Sequence, residues 1–153
     1  MSEDVAEIAT PLGVALRVTA AREAIVAAEF VALRRAPRSA RKSPLLAEAA
    51  AQVRAYFARR LERFDLPLVF TGTPFRVAVW RAVYATSFGD LVSYADVARA
   101  VGHPLAHRGV AAAMGATPID LFVPAQRVVG ADGKPRGCAP GSVRARLIAF
   151  ERA

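Results

Sequence analysis

The chain has 153 residues, 54% of them hydrophobic, with a single cysteine and a formal net charge of +8. That is enough apolar material for a real core, and a lone cysteine excludes an internal disulfide. No apolar run approaches the roughly 18 residues of a membrane span, and the acidic opening MSEDVAEIAT lacks the apolar centre of a secretion signal. A cytoplasmic protein with no membrane partner is therefore expected. The positive charge is nearly all arginine and points to a polyanion, most often nucleic acid.

Val14–Thr19 and Ala24–Val31 read as short strands. The polar segment LRRAPRSARKSP follows, with Arg34, Arg35, Arg38, Arg41 and Lys42. It is either a solvated loop or a phosphate-contacting arm. Ser43-Pro44 predicts a helix start, because serine caps and proline suits the first turn. Leu46, Ala49, Val53, Phe57 and Leu61 share one face at helical spacing. FDLPL closes the first region, which divides the chain into residues 1–68 and 69–153.

Thr73-Pro74 repeats the cap-and-proline signal. Phe75, Val79, Ala82 and Val83 form the buried stripe of the helix it opens, with Trp80 packing beside them. Phe88-Gly89-Asp90 is a turn. Ser93 caps the next helix, with Asp96 completing a weak capping box, and Gly102 ends it. His103-Pro104 makes a short turn into a third helix, about Leu105 to Met114. Helix, short turn, helix is the outline of a helix-turn-helix. A strand over Ile119–Val123 leads into VPAQRVVGADGK. Val128-Val129 and the Gly/Asp turn predict a hairpin like the wing of a winged helix. A last helix spans Gly141 to Glu151, with Val143, Leu147, Ile148 and Phe150 inward and Arg144 and Arg152 outward. The one cysteine and the scattered His103 and His107 lack metal-ligand spacing, so neither metal nor cofactor is expected.

The stretches GTPFRVAVWRAV, SFGDLVSYADVARAVGHP, HRGVAAAMGATP, FVPAQRVVGADG and RLIAFE occur in this order. In order and spacing the sequence resembles the O6-alkylguanine-DNA alkyltransferases, strongly from Gly72 to Glu151 and more faintly before. The resemblance implies an α+β chain. Its N-terminal part would be a ribonuclease-H-like α/β domain, followed by a winged-helix-like DNA-binding domain. It implies a partner, double-stranded DNA carrying O6-alkylguanine, approached through the minor groove with the damaged base flipped out. Arg108 matches the arginine that fills the gap left by the flipped base. Tyr94 matches the tyrosine that rotates the neighbouring phosphate. Gly109, Ala111, Ala112 and Ala113 keep the third helix slim enough to press on the groove floor, and Arg127 joins the DNA-binding set.

The family's reactive Pro-Cys-His-Arg reads Pro124-Ala125-Gln126-Arg127 here. Attack on an alkyl carbon needs a thiolate, which alanine does not offer, and Gln126 cannot titrate. Glu151 matches the relay glutamate, and Thr117 stands where the family has an asparagine. The lesion pocket is expected at Pro124, Ala125, Cys138, Ala139 and Pro140, with Cys138 where the family places an aromatic residue. The sequence looks like the alkyltransferase-like branch. The expectation is a catalytically inactive monomer that holds O6-alkylguanine without transfer and presents it to nucleotide excision repair proteins. Two alternatives stay open: alkyl transfer to Cys138, the chain's only thiol, and DNA binding without lesion preference.

Overall fold

The computed structural model describes residues 3–37, 43–134 and 141–153. The chain is mixed α+β and forms two compact units, one of Met1–Val69 with Pro118–Asp120, the other of Phe70–Thr117 with Leu121–Ala153.

The first unit holds an antiparallel three-stranded sheet in the order β1 (Asp4–Ala9), β2 (Val14–Ala21), β3 (Ala24–Ala32). β2 and β3 contain the two expected strands. β1 was not legible, because Glu7 interrupts its apolar residues. Glu7 is nonetheless buried and pairs with Arg34 from the basic loop. Arg35 is exposed, while Arg38, Arg41 and Lys42 lie outside the described residues. Leu16, Val18 and Ala20 alternate inward along β2, and helix α1 (Pro44–Phe57) packs on the sheet. The Ser43 hydroxyl accepts from the Leu46 N–H, as the cap signal predicts. The buried face of α1 ends on Tyr56, not on the expected Phe57 and Leu61. The helix stops at Phe57, so Leu61 never joins its stripe.

Two short passes of chain cover the free edge of β3. The Ile25 N–H donates to Pro67 and the Val69 N–H to Ile25, while the Ala28 N–H donates to Pro118 and the Asp120 N–H to Ala28, all at 2.8–3.0 Å. The second pass corrects the expected Ile119–Val123 strand. Ile119 makes a parallel bridge to Ala28, then the chain turns at Leu121, whose φ is +70°. The segment's hydrophobic run reflects burial and not a continuous ladder.

The β2–β3 turn is Arg22-Glu23, with φ of +52° and +66°. Two left-handed residues suit the tight hairpin, but side chains carry a steric penalty there that glycine escapes and asparagine tolerates. Replacing Arg22-Glu23 with Asn-Gly is expected to stabilise the protein by about 1 kcal/mol. The check is the urea unfolding midpoint; a fall would show that these side chains contribute more than their strain costs.

The second unit contains α2 (Pro74–Tyr84), β4 (Val92–Ser93), α3 (Tyr94–Ala100), α4 (His107–Gly115), β5 (Val128–Val129) and α5 (Val143–Arg152). Thr73 caps α2 by accepting from the Arg76 N–H. Val79, Trp80 and Val83 are buried; Phe75 and Ala82 are only partly so. The Trp80 indole N–H donates to the Ala113 carbonyl at 2.9 Å, tying α2 to α4. The Ser93/Asp96 capping box of α3 is complete. Hydrogen bonds from the Ser93 backbone and hydroxyl side hold the Asp96 carboxyl below its ordinary pKa. Gly102, at φ +82°, ends the turn after α3. β5 pairs in parallel with β4, Val92 opposite Val128 and Ser93 opposite Val129. The second arm of the expected wing hairpin falls on residues 135–140, outside the described residues. In α5, Leu147 and Glu151 are buried, whereas Val143, Ile148 and Phe150 are partly exposed. Arg144 turns in, donating to the Met114 carbonyl at 2.9 Å near the end of α4.

Candidate functional site

Pro124 leads into a single 3-10 turn, Ala125–Arg127, closed by the Arg127 N–H donating to the Pro124 carbonyl at 2.9 Å. β5 follows at once, so its pairing with β4 holds the turn beside the start of α3. Pro124, Ala125, Gln126 and Arg127 are all buried.

Glu151, on the last turn of α5, is the centre of this site. Its Oε2 accepts from Gln126 Nε2 at 3.0 Å and from Arg127 Nη2 at 3.0 Å. Its Oε1 accepts from Arg127 Nε at 2.8 Å and from the Gly89 N–H at 3.1 Å. Arg127 Nη1 donates to the Thr86 carbonyl at 2.9 Å and its hydroxyl at 3.3 Å. Glu151 is 6% and Arg127 5% exposed, so this fork-on-carboxylate pair has lost its water. A two-point guanidinium–carboxylate contact fixes both planes and, when every group is bonded, offsets the cost of burying the charges. Gln126, 2% exposed, adds a neutral donor where a titrating ring would exchange a proton.

The structure thus joins Gln126 to Glu151, the two positions that match the family's histidine and glutamate, and brings Arg127 onto the same carboxylate. It corrects the DNA-binding assignment of Arg127, whose Nε, Nη1 and Nη2 all bond inside the protein. Sequence reasoning missed Thr86 and Gly89. Gly89 lies in the Phe88-Gly89-Asp90 turn, which was legible only as a turn, and Thr86 lies just before it. Arg152 fastens that turn from outside, donating to the Gly89 carbonyl at 2.9 Å. The Thr117 Oγ1 is buried without a hydrogen-bond partner among the described residues.

Arg108 and Ala112 are exposed on α4. Ala113 does not belong with them. It is buried, and its carbonyl receives the Trp80 indole; Ala111 is buried as well. Gly109 also has an internal reason to be small: a Cβ there would lie 3.1 Å from the Phe75 ring. Tyr94, half-buried at the first position of α3, borders Gly130, where an added Cβ would stand 3.7 Å from the Tyr94 ring. Cys138, Ala139 and Pro140 lie outside the described residues.

Residues 74–153 match the family described as 6-O-methylguanine DNA methyltransferase, DNA binding domain. The chain belongs to that family. It is 43% identical over 94 residues to the methylated-DNA–protein-cysteine methyltransferase of Methanosarcina barkeri, a match covering 61% of this chain and 60% of that protein. It is 40% identical over 114 residues to the constitutive methylated-DNA–protein-cysteine methyltransferase of Bacillus subtilis, covering 73% and 69%. The chain therefore spans about three fifths of the first of these curated relatives. Its fold matches the crystal structure of Mycobacterium tuberculosis O6-methylguanine methyltransferase with a TM-score of 0.83 at 30% identity, covering 99% of this chain and 93% of that one. The Mycobacterium tuberculosis OGT in complex with DNA matches with a TM-score of 0.81 at 31% identity, covering 95% and 91%.

These relatives correct the expectation of a catalytically inactive protein. Proteins 40–43% identical to it are named methylated-DNA–protein-cysteine methyltransferases.

Proposed function

We propose that the protein binds duplex DNA at O6-alkylated guanine through its second unit, as a monomer in the cytoplasm. We further propose that it accepts the alkyl group on Cys138. The reading keeps the ribonuclease-H-like and winged-helix-like descriptions for residues 1–68 and 69–153. The observation that carries it is the exposed Arg108 on α4, inside the stretch that matches the family's DNA-binding domain. With Ala125 in the reactive motif, any transfer has one thiol to end on, because the chain has a single cysteine. The thiolate attacks the alkyl carbon, an S–C bond forms and the C–O6 bond breaks. Guanine keeps the electron pair and takes up a proton.

Described hydrogen bonds lie on either side of Cys138 in the sequence. On one side the Gly130 N–H donates to the Lys134 carbonyl at 2.9 Å, closing the turn after β5. On the other, the Ser142 hydroxyl accepts from the Ala145 N–H at 3.2 Å and starts α5, the helix that carries Glu151.

Mass spectrometry after incubation with a duplex containing O6-methylguanine tests the proposal. The Cys138 peptide is expected to gain one methyl group, and Cys138→Ser protein none. An unmodified peptide despite preferential lesion binding ends the transfer step. Recognition, with hand-over to nucleotide excision repair proteins, is then what remains. Equal binding to damaged and plain duplex ends the lesion reading altogether.

A further inference from the structure

The turn between α3 and α4 carries a side chain that the fold does not use. Leu105 is 92% exposed, against 50% for Leu33, the next among the described large apolar residues. Isolated exposed leucines are ordinary; the setting of this one is not. Its turn is stitched at both ends. The Gly102 N–H donates to the Arg99 carbonyl at 3.1 Å, the His103 N–H to Ala98 at 2.9 Å and the Ala106 N–H to His103 at 2.9 Å. The His103 ring stands edge-on to Phe75, with centroids 5.6 Å apart. Pro104 restricts the backbone immediately before Leu105. The leucine is thus held in water on a braced tip. Three residues on, Arg108 is exposed too.

We propose that Leu105 is an apolar wedge that enters a base step of duplex DNA beside Arg108. The proposal rests on the DNA-binding reading above. Leucine can partly unstack a base step and kink the duplex, and the apolar surface it removes from water offsets part of the unstacking cost. A braced turn loses little freedom on insertion, which keeps that gain. DNA fits this tip better than an apolar protein surface does. The neighbours that share its exposure are His103, Pro104, His107 and Arg108, and the chain carries a net charge of +8. A protein-docking patch would need contiguous apolar residues.

The test uses the full chain and a duplex with 2-aminopurine next to O6-methylguanine, or next to guanine, at one salt concentration. Wild type is expected to raise the 2-aminopurine fluorescence. Leu105→Ala should remove most of that rise and weaken lesion-duplex binding by roughly fivefold to tenfold, and Leu105→Met should keep both. The side chain lies in water, so the unfolding midpoint should not move. A full rise with Leu105→Ala, or no rise with wild type, overturns the wedge. A rise that depends on Leu105 on both duplexes, with equal affinity for the two, keeps the wedge and ends the lesion reading instead.

Discussion

Replacing Glu151 with alanine is expected to lower the unfolding free energy by about 3–5 kcal/mol, because it strands a buried arginine. Arg127 Nε and Nη2 lose their acceptors, and Gln126 Nε2 and the Gly89 N–H lose theirs as well. Water cannot take over in full, since Glu151 and Arg127 are both buried. The damage would spread, because this carboxylate joins the end of α5 to the 3-10 turn and to the turn after α2. Urea unfolding followed by circular dichroism measures the loss. The double variant Glu151→Ala/Arg127→Met should recover a good part of it, because removing the orphaned charge removes its desolvation cost. A loss below about 1 kcal/mol for Glu151→Ala would mean that the pair behaves like a solvated surface bridge.

Arg108→Ala is expected to weaken binding to an O6-methylguanine duplex by about thirtyfold and to plain duplex much less. Extruding a base costs a few kcal/mol, and a guanidinium that fills the vacated place recovers part of that only where a base leaves. Arg108 is exposed, so its loss should leave stability unchanged. Arg108→Lys separates charge from shape. It keeps the positive charge but not the planar fork, and should fall between wild type and alanine on the damaged duplex. Equal losses on both duplexes, with the salt slope reduced by about one, would make Arg108 a phosphate contact and not a reader of the lesion.

Local signals were legible wherever the physics is local. Ser43, Thr73 and Ser93 each accept from the backbone N–H three residues on, because a cap and its donor lie within one turn. The two strands of β2 and β3 could be read for the same reason. The reactive-motif turn was legible through its likeness to a family, and Gln126, Arg127 and Glu151 do meet. Hidden were the partners that complete this cluster. Gly89 is 62 residues from Glu151, and Thr86 is 41 from Arg127. No short-range pattern connects them.

Residue type misled in a consistent direction. Arg127 was expected among the DNA contacts, but the buried Glu151 carboxylate and Thr86 take its hydrogen bonds inside the protein. Gly109 and Ala113 looked like groove-floor residues because they are small, but Phe75 and Trp80 already press against them. Ile119–Val123 looked like a strand because it is apolar, but a left-handed Leu121 breaks it while burial continues. The sequence by itself determined the starts of α1, α2 and α3, the basic character and the family, whereas α4 begins at His107 and not at the expected Leu105, and α5 at Val143 and not at Gly141. The tertiary structure alone decided which polar groups lose their water, which small residues are crowded from within, and that Leu105 and Arg108 are left facing out. Caps and turns are contests between neighbours in the chain, whereas burial is settled by whatever distant segment arrives.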